Sequence, residues 1–237
     1  MRQVVVVGGW GIPASPLCSL LPEGVEPVIL DPTSMAARHG DLHAALAAVM
    51  ETVPWGVPWL GWSLGGQVAM AARERFSDRV GGVITLCSTP CFLEAPGWPT
   101  GMAEAEFRGF REGVLADVEQ TLGRFCALVS QGAPSPRTVR RELQAQDWPA
   151  LTPDYERGLV NSLEWLAALD QRALWQQAGA WARHLFGARD ALVNASVPGA
   201  LGLAGERYHL AAEACHWPGT VPGVRDWISK TLESLTP

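Results

Sequence analysis

The stretch 61-GWSLGG-66 follows a short apolar run, Val57 to Gly61, and precedes Leu64 to Phe76, where Val68, Ala69 and Ala72 fall on one helical face. A serine with glycine two positions before and after it, where a strand hands over to a helix, is the pattern of a nucleophile elbow, G-x-S-x-G. The glycines have a physical reason. Side chains at those two positions would crowd the backbone of so sharp a turn. The turn also sets the serine at a helix N-terminus, where free N–H groups and the helix dipole favour an oxyanion. A plain glycine-rich turn would share the pentapeptide but has no need of the flanking strand and helix. Ser63 is therefore the candidate nucleophile.

The same rhythm extends along the chain. Val4 to Val7 reads as a buried parallel strand ending at Gly8-Gly9, and Pro27 to Leu30 as a second strand stopped by Asp31-Pro32. His39 to Thr52 has helical spacing, Val57 to Gly61 is a third strand, and Val80 to Leu86 is a fourth. Alternating strand and helix predict an α/β fold with a parallel sheet covered on both faces. From Ser88 to Gly179 the strand pattern lapses. A Pro/Gly-rich opening, 88-STPCFLEAPGWPTG-101, gives way to helical patterns over Glu104 to Gln131 (one helix or two), Pro136 to Gln146 and Pro153 to Leu169. Strands return at Ala182 to Phe186 and Tyr208 to Ala212, and Thr220 to Leu235 closes the chain as a helix. The expectation is a core of residues 1–87 and 180–237 with a mostly parallel sheet of about six strands, carrying a helical lid, residues 88–179.

Composition narrows the function. With 237 residues, 48% of them hydrophobic, the chain can bury one large core. A net charge of −6 gives a nucleic-acid role no global electrostatic support. Eleven tryptophans suggest apolar pockets as well as core. The cysteines (Cys18, Cys87, Cys91, Cys126 and Cys215) are odd in number and include no CxxC pair, which points to reduced thiols and a cytoplasmic setting. The apolar start is too short for a signal peptide, and no run of about 18 apolar residues suggests a membrane span.

A serine hydroxyl needs a base, and the base an orienting carboxylate, in the chain order serine, acid, histidine. His39 and His43, four apart, could pair on a metal, but no third ligand accompanies them, so a solvated helix face is the better reading and no metal or other cofactor is expected. His184 and His209 lie inside apolar strands and read as core histidines. His216, in 213-EACHWPG-219, falls in a loop after the last strand, where such a base belongs. Asp190, in 184-HLFGARDALV-193, follows the preceding strand and holds the expected place of the acid, although it could simply cap a helix. Asp31 precedes the serine and Asp170 ends a helix of the insert. For the oxyanion, one N–H should come from Leu64 and the other from Trp10 in 8-GGWG-11, whose indole could also wall the pocket. The cysteines are not expected to be catalytic, and Cys215 should face the core beside His216.

With these residues in place, the sequence resembles the α/β-hydrolase family from about Val4 to the C-terminus. Within it, the resemblance is nearest to the esterases of biotin synthesis that act on the methyl ester of pimeloyl-acyl-carrier protein. Gly-Trp-Gly, 61-GWSLGG-66, G-x-x-D-x-L-V and the late histidine are shared across many hydrolases. The segments 88-STPCFLEAPGWPTGM-102 and 123-GRFCALVSQG-132 are similar to those esterases in particular. The resemblance implies a cofactor-free, monomeric serine carboxylesterase. It also implies that Phe125, Cys126, Ala127, Leu128 and Val129 line an acyl channel, and that Trp10, Ser63, Leu64 and His216 meet the substrate. Arg124, Arg137 and Arg141 would grip an acidic carrier protein. Three departures stand out: Gln120 replaces a further arginine, Gly8 replaces the usual histidine before Gly-Trp-Gly, and the opening β-hairpin is absent. Read on its own, 135-SPRTVRRELQ-144 is either a solvated helix face or a docking patch for a phosphate-bearing or acidic partner. The same triad would serve a lactonase, a thioesterase or a carbon–carbon bond hydrolase, and a non-catalytic ligand receptor is a third reading.

Overall fold

A computed structural model describes residues 2–235. Six strands, β1 (Arg2–Val7), β2 (Val25–Leu30), β3 (Val57–Trp62), β4 (Val80–Leu86), β5 (Ala182–Gly187) and β6 (Tyr208–Ala211), form one sheet in the order β2-β1-β3-β4-β5-β6. Every neighbouring pair is parallel. Val4 to Val7 are wholly buried, as an unbroken β-branched run inside a two-sided parallel sheet should be.

Helices α1 (Pro32–His39) and α2 (Leu42–Met50) follow β2, and α3 (Leu64–Arg75) follows β3. Between β4 and β5 lie α4 (Glu104–Ala116), α5 (Val118–Ser130), α6 (Pro136–Gln144), α7 (Pro153–Ala168) and α8 (Arg172–Gln177). A one-turn α9 (Val197–Ala200) precedes β6, and α10 (Val224–Leu235) ends the described chain. The two faces of the sheet can be read from β4. A Cβ on Gly82 would strike Leu235 of α10, whereas Thr85 lies against Gly66 of α3. Residues three apart on a strand point to opposite faces, so α10 and α3 cover opposite sides.

Several boundaries differ from the sequence reading. Asp31 does more than end a strand: its carboxylate accepts from the Thr33 and Ser34 N–H groups and caps α1, a helix the sequence reading passed over. The helix expected over His39 to Thr52 is two. Gly40 has φ +46° and closes α1, and Asp41 caps α2. His39 and His43 thus stand exposed on separate helices, and no metal-binding cluster occurs among the described residues. Glu104 to Gln131 is also two helices, because Asp117 leaves the first extended and caps the second through the Gln120 N–H. At the C-terminus a short 3₁₀ turn, Pro218–Thr220, precedes α10.

The insert is seated on α1. A Cβ on Gly158 of α7 would lie 2.3 Å from the Thr33 carbonyl oxygen, so the two helices meet backbone to backbone. Asn161 donates to the Ala36 carbonyl at 3.1 Å and Trp165 to that of Gly40 at 2.5 Å, satisfying carbonyls at the C-terminal end of α1. Among the described residues no helix is long and apolar enough to cross a membrane.

Candidate active site

Ser63 sits between β3 and α3 with φ +54° and ψ −123°, a backbone state that a non-glycine residue holds only when its surroundings enforce it. The enforcement is visible. A Cβ on Gly61 would lie 2.1 Å from the Gly65 carbonyl oxygen, and one on Gly65 2.3 Å from that of Val7. Neither position can carry a side chain. The Ser63 N–H donates to the Leu86 carbonyl (2.9 Å), and its own carbonyl accepts from the Gly66 N–H (2.9 Å) and the Ser88 hydroxyl (2.7 Å).

The strand ends deliver the partners in sheet order. Asp190 follows β5 and His216 follows β6. The Ser63 hydroxyl donates to His216 Nε2 at 2.8 Å, and His216 Nδ1 lies 2.8 and 3.0 Å from the two Asp190 oxygens. The side chains of His216 and Asp190 are wholly buried. Asp190 Oδ1 also accepts from the Leu192 and Val193 N–H groups, at 2.8 and 3.0 Å. A carboxylate on Nδ1 keeps the imidazole proton there and leaves Nε2 to accept from the serine. This arrangement can raise the nucleophilicity of Ser63 at neutral pH.

Trp62 is a contributor the sequence reading passed over. Its indole N–H donates to the His216 carbonyl at 2.7 Å, and its ring packs against His216 and Trp217 at centroid distances of 5.6 and 5.2 Å. The residue before the serine therefore ties the histidine loop to the elbow. Behind them, burial first and then the Asp190 carboxylate push the Cys87 thiol well above the usual range. Cys215 is buried beside His216 and is likewise raised by burial. Both stay protonated, as donors to the carbonyls of Cys215 and Trp217.

Leu64 opens α3, so its N–H has no intrahelical acceptor. The Trp10 loop reaches the elbow because Gly9 has no side chain: a Cβ there would be 3.0 Å from the Trp62 ring. The Trp10 indole donates to the Leu159 carbonyl of α7 (2.8 Å) and meets Phe110 and Phe125 edge-on, each at 5.1 Å.

Ser63 and His216 open onto a cavity of about 240 Å³ walled by aromatic and aliphatic side chains of α4, α5 and α7, among them Phe107, Phe110, Leu163 and Leu166. Of the acyl-channel residues implied by resemblance, Phe125 and Leu128 line it. Cys126 does not: one position further round α5, it faces a separate groove beside Gln144 and Trp148. Ala127 is half-buried away from the cavity, and Val129 is buried in packing. A five-residue run spans more than one helical turn, so one wall cannot take all five. Arg124 and Glu106 are the charged residues on the cavity wall, both exposed. Arg137 and Arg141 are exposed on α6 and lie outside it. Phe107 and Phe110 escaped the sequence reading, although their i, i+3 spacing with Val114 marks one face of α4.

The remaining candidates lie elsewhere. His184 is buried, bonded to Thr85 Oγ1 at 2.9 Å and stacked on Trp175; burial, with Arg207 and Arg183 behind it, lowers its pKa to about 3. His209 departs from the reading as a core residue: β6 is an edge strand, and the ring lies exposed against Trp227. Asp170 pairs with Arg172 at 2.6 Å.

No protein-family model matches the chain. It is 30% identical to the pimeloyl-[acyl-carrier protein] methyl ester esterase of Methylococcus capsulatus, over 94% of this chain and 91% of that one. It is 33% identical to the enzyme of the same name from Serratia marcescens, over 92% and 88%. Among solved structures, an esterase from Exiguobacterium antarcticum superposes with a TM-score of 0.77 at 20% identity, covering 99% of this chain and 91% of that one, which establishes the fold. The chain is a hydrolase of the α/β-hydrolase fold and belongs to the pimeloyl-[acyl-carrier protein] methyl ester esterase family.

Proposed function

We propose that the chain hydrolyses the methyl ester of pimeloyl-acyl-carrier protein to the free ω-carboxylate and methanol. The observation that carries this reading is a Ser63–His216–Asp190 relay opening onto a largely apolar cavity, in a chain whose relatives, matched over most of their length, bear that name. Ser63 Oγ attacks the ester carbonyl as His216 takes its proton, and Asp190 stabilises the imidazolium. The N–H groups of Trp10 and Leu64 hold the oxyanion. His216 protonates the departing methoxide, then activates the water that releases the acid. Helices α4 to α8 act as the lid. Phe125 and Leu128 support the acyl chain, and Arg124 at the cavity wall with Arg137 and Arg141 on α6 receives the acidic carrier.

The test compares carrier-bound pimeloyl methyl ester with free monomethyl pimelate, using wild type and Ser63→Ala. Preference for the carrier-bound ester, abolished by the substitution, is expected, together with biotin-independent growth of a strain lacking its own esterase. Equal turnover of free esters without rescue of growth would make the chain a small-molecule hydrolase.

A further inference from the structure

The proposed reaction accounts for the cavity on the acyl side of Ser63 but assigns no place to the alcohol. A second, smaller recess adjoins the serine. It shares Ser63, Phe92 and Leu166 with the acyl cavity and is otherwise walled by Gln67, Ser88, Thr89 and Val193. Gln67 lies four residues after Ser63, one turn along α3 on the same face, and is wholly buried. Neither its carboxamide nitrogen nor its oxygen has a partner among the described residues. The recess hydroxyls are committed elsewhere: Ser88 donates to the Ser63 carbonyl and Thr89 to that of Cys91. A buried, unpaired carboxamide is costly, and one turn from a nucleophile it calls for a ligand.

Position says which ligand. Sheet order puts the Trp10 loop on the β1 side of Ser63 and Ser88 on the β4 side. If the carbonyl oxygen turns towards Trp10 and the acyl chain fills the larger cavity, the alkoxy group is left on the β4 side. Asp190 and His216 also arrive from that side.

We propose that this recess is the alcohol subsite, with the Gln67 carboxamide as donor to the alkoxy oxygen, and that its walls restrict the substrate to esters of the smallest alcohols. The inference rests on the esterase reading above. In the step it serves, the bond from Ser63 Oγ to the carbonyl carbon forms, the carbon–alkoxy bond breaks, and the proton held by His216 leaves with the alcohol. The recess is closed at rest, with no room for a water-sized sphere, so Phe92 or Leu166 must give way to admit an alkyl group. The cost of that displacement rises with each added carbon.

The experiment measures kcat/KM for methyl, ethyl, propyl and butyl hexanoate. All four form the same acyl-enzyme, so differences report acylation alone. Wild type should fall at least tenfold from methyl to butyl. Gln67→Ala should flatten that fall to within about threefold, and Val193→Ala, which opens the recess from another wall, should flatten it partly. Gln67→Leu, nearly isosteric, should keep the size order but lose rate on the methyl ester. The preference among methyl esters of different acids should not move in any of them. A flat wild-type profile, or a steep one unmoved in folded Gln67→Ala or, should that not fold, in Val193→Ala, overturns the proposal. So does an acyl-enzyme that accumulates in Gln67→Leu with the alcohol profile unchanged, which would make the recess a water site. Failure of wild type on every ester would sink the esterase reading itself.

Discussion

Asp190→Asn tests the relay at its least ambiguous bond. Asp190 Oδ1 accepts from two backbone N–H groups, those of Leu192 and Val193, while Oδ2 lies nearest His216 Nδ1. An asparagine keeps the two backbone bonds only by placing its oxygen at the Oδ1 position. Its NH₂ group then points at Nδ1, so the imidazole must turn Nδ1 into an acceptor and carry its proton on Nε2. That tautomer cannot take the Ser63 proton. A loss of about 10³- to 10⁴-fold in kcat follows by analogy with the same exchange in serine proteases, or roughly 4–5.5 kcal/mol of barrier. The fold should persist, because both backbone donors stay paired, whereas Asp190→Ala would leave them buried and unmatched at about 1–3 kcal/mol each. The assay is p-nitrophenyl butyrate turnover beside a thermal melt. A folded Asp190→Asn with activity within tenfold of wild type would refute the reasoning, and another group would have to orient His216.

Other expectations follow from the same geometry. Trp62→Phe keeps a ring but loses the 2.7 Å bond to the His216 carbonyl; thermal denaturation should show a loss of about 1–3 kcal/mol, and kcat should fall more than KM changes. Reversing Arg137 and Arg141 to glutamate should raise KM for a carrier-bound ester by about tenfold at low salt, an effect that shrinks as salt rises. A p-nitrophenyl ester should be unaffected, and equal damage to both substrates would make the arginines structural. His184, held neutral to about pH 3 in the fold, ionises near pH 6.5 when unfolded. Its contribution is therefore fully present above about pH 6.5 and is lost as the pH falls towards 3. Urea titrations of wild type and His184→Asn should differ in slope against pH within that window, and equal slopes would place the acid sensitivity elsewhere.

What the sequence disclosed was what local rules impose. Gly61 and Gly65 are forced by backbone contacts near 2 Å, so the elbow left a spacing that could be read directly. Asp190 and His216 were legible because each follows a strand, and in a parallel sheet all strand ends that follow one another in this way gather on one edge. Side-chain direction was less legible. Resemblance put five consecutive residues of α5 on the channel, and helical geometry admitted two. Trp62 and Gln67 were hidden for a related reason: one looked like a filler within the pentapeptide, the other like a polar residue on an amphipathic helix, and their surroundings are supplied by segments far away in the chain. The missed helix α1 has the same origin. Asp31-Pro32 reads as the end of a strand, yet aspartate at the cap and proline in the first turn equally begin a helix.

The two parts of the site are held by different means. The relay hangs on strand ends and on backbone bonds to Ser63 and Asp190, so its geometry follows from the sheet. The cavity comes from the insert, which reaches the core through the contact of α7 with α1 and the bond from the Trp10 indole to the Leu159 carbonyl. Substitutions in α4, α5 and α7 should therefore reshape the cavity, and under the proposed function the acyl preference, without moving Ser63. The recess at Gln67 belongs to neither arrangement alone: α3 and the loop after β4 supply its polar wall, and Phe92 and Leu166 of the inserted segment close it. The choice of alcohol should then be harder to alter than the choice of acid, because widening the recess within the core means working one helical turn from the nucleophile.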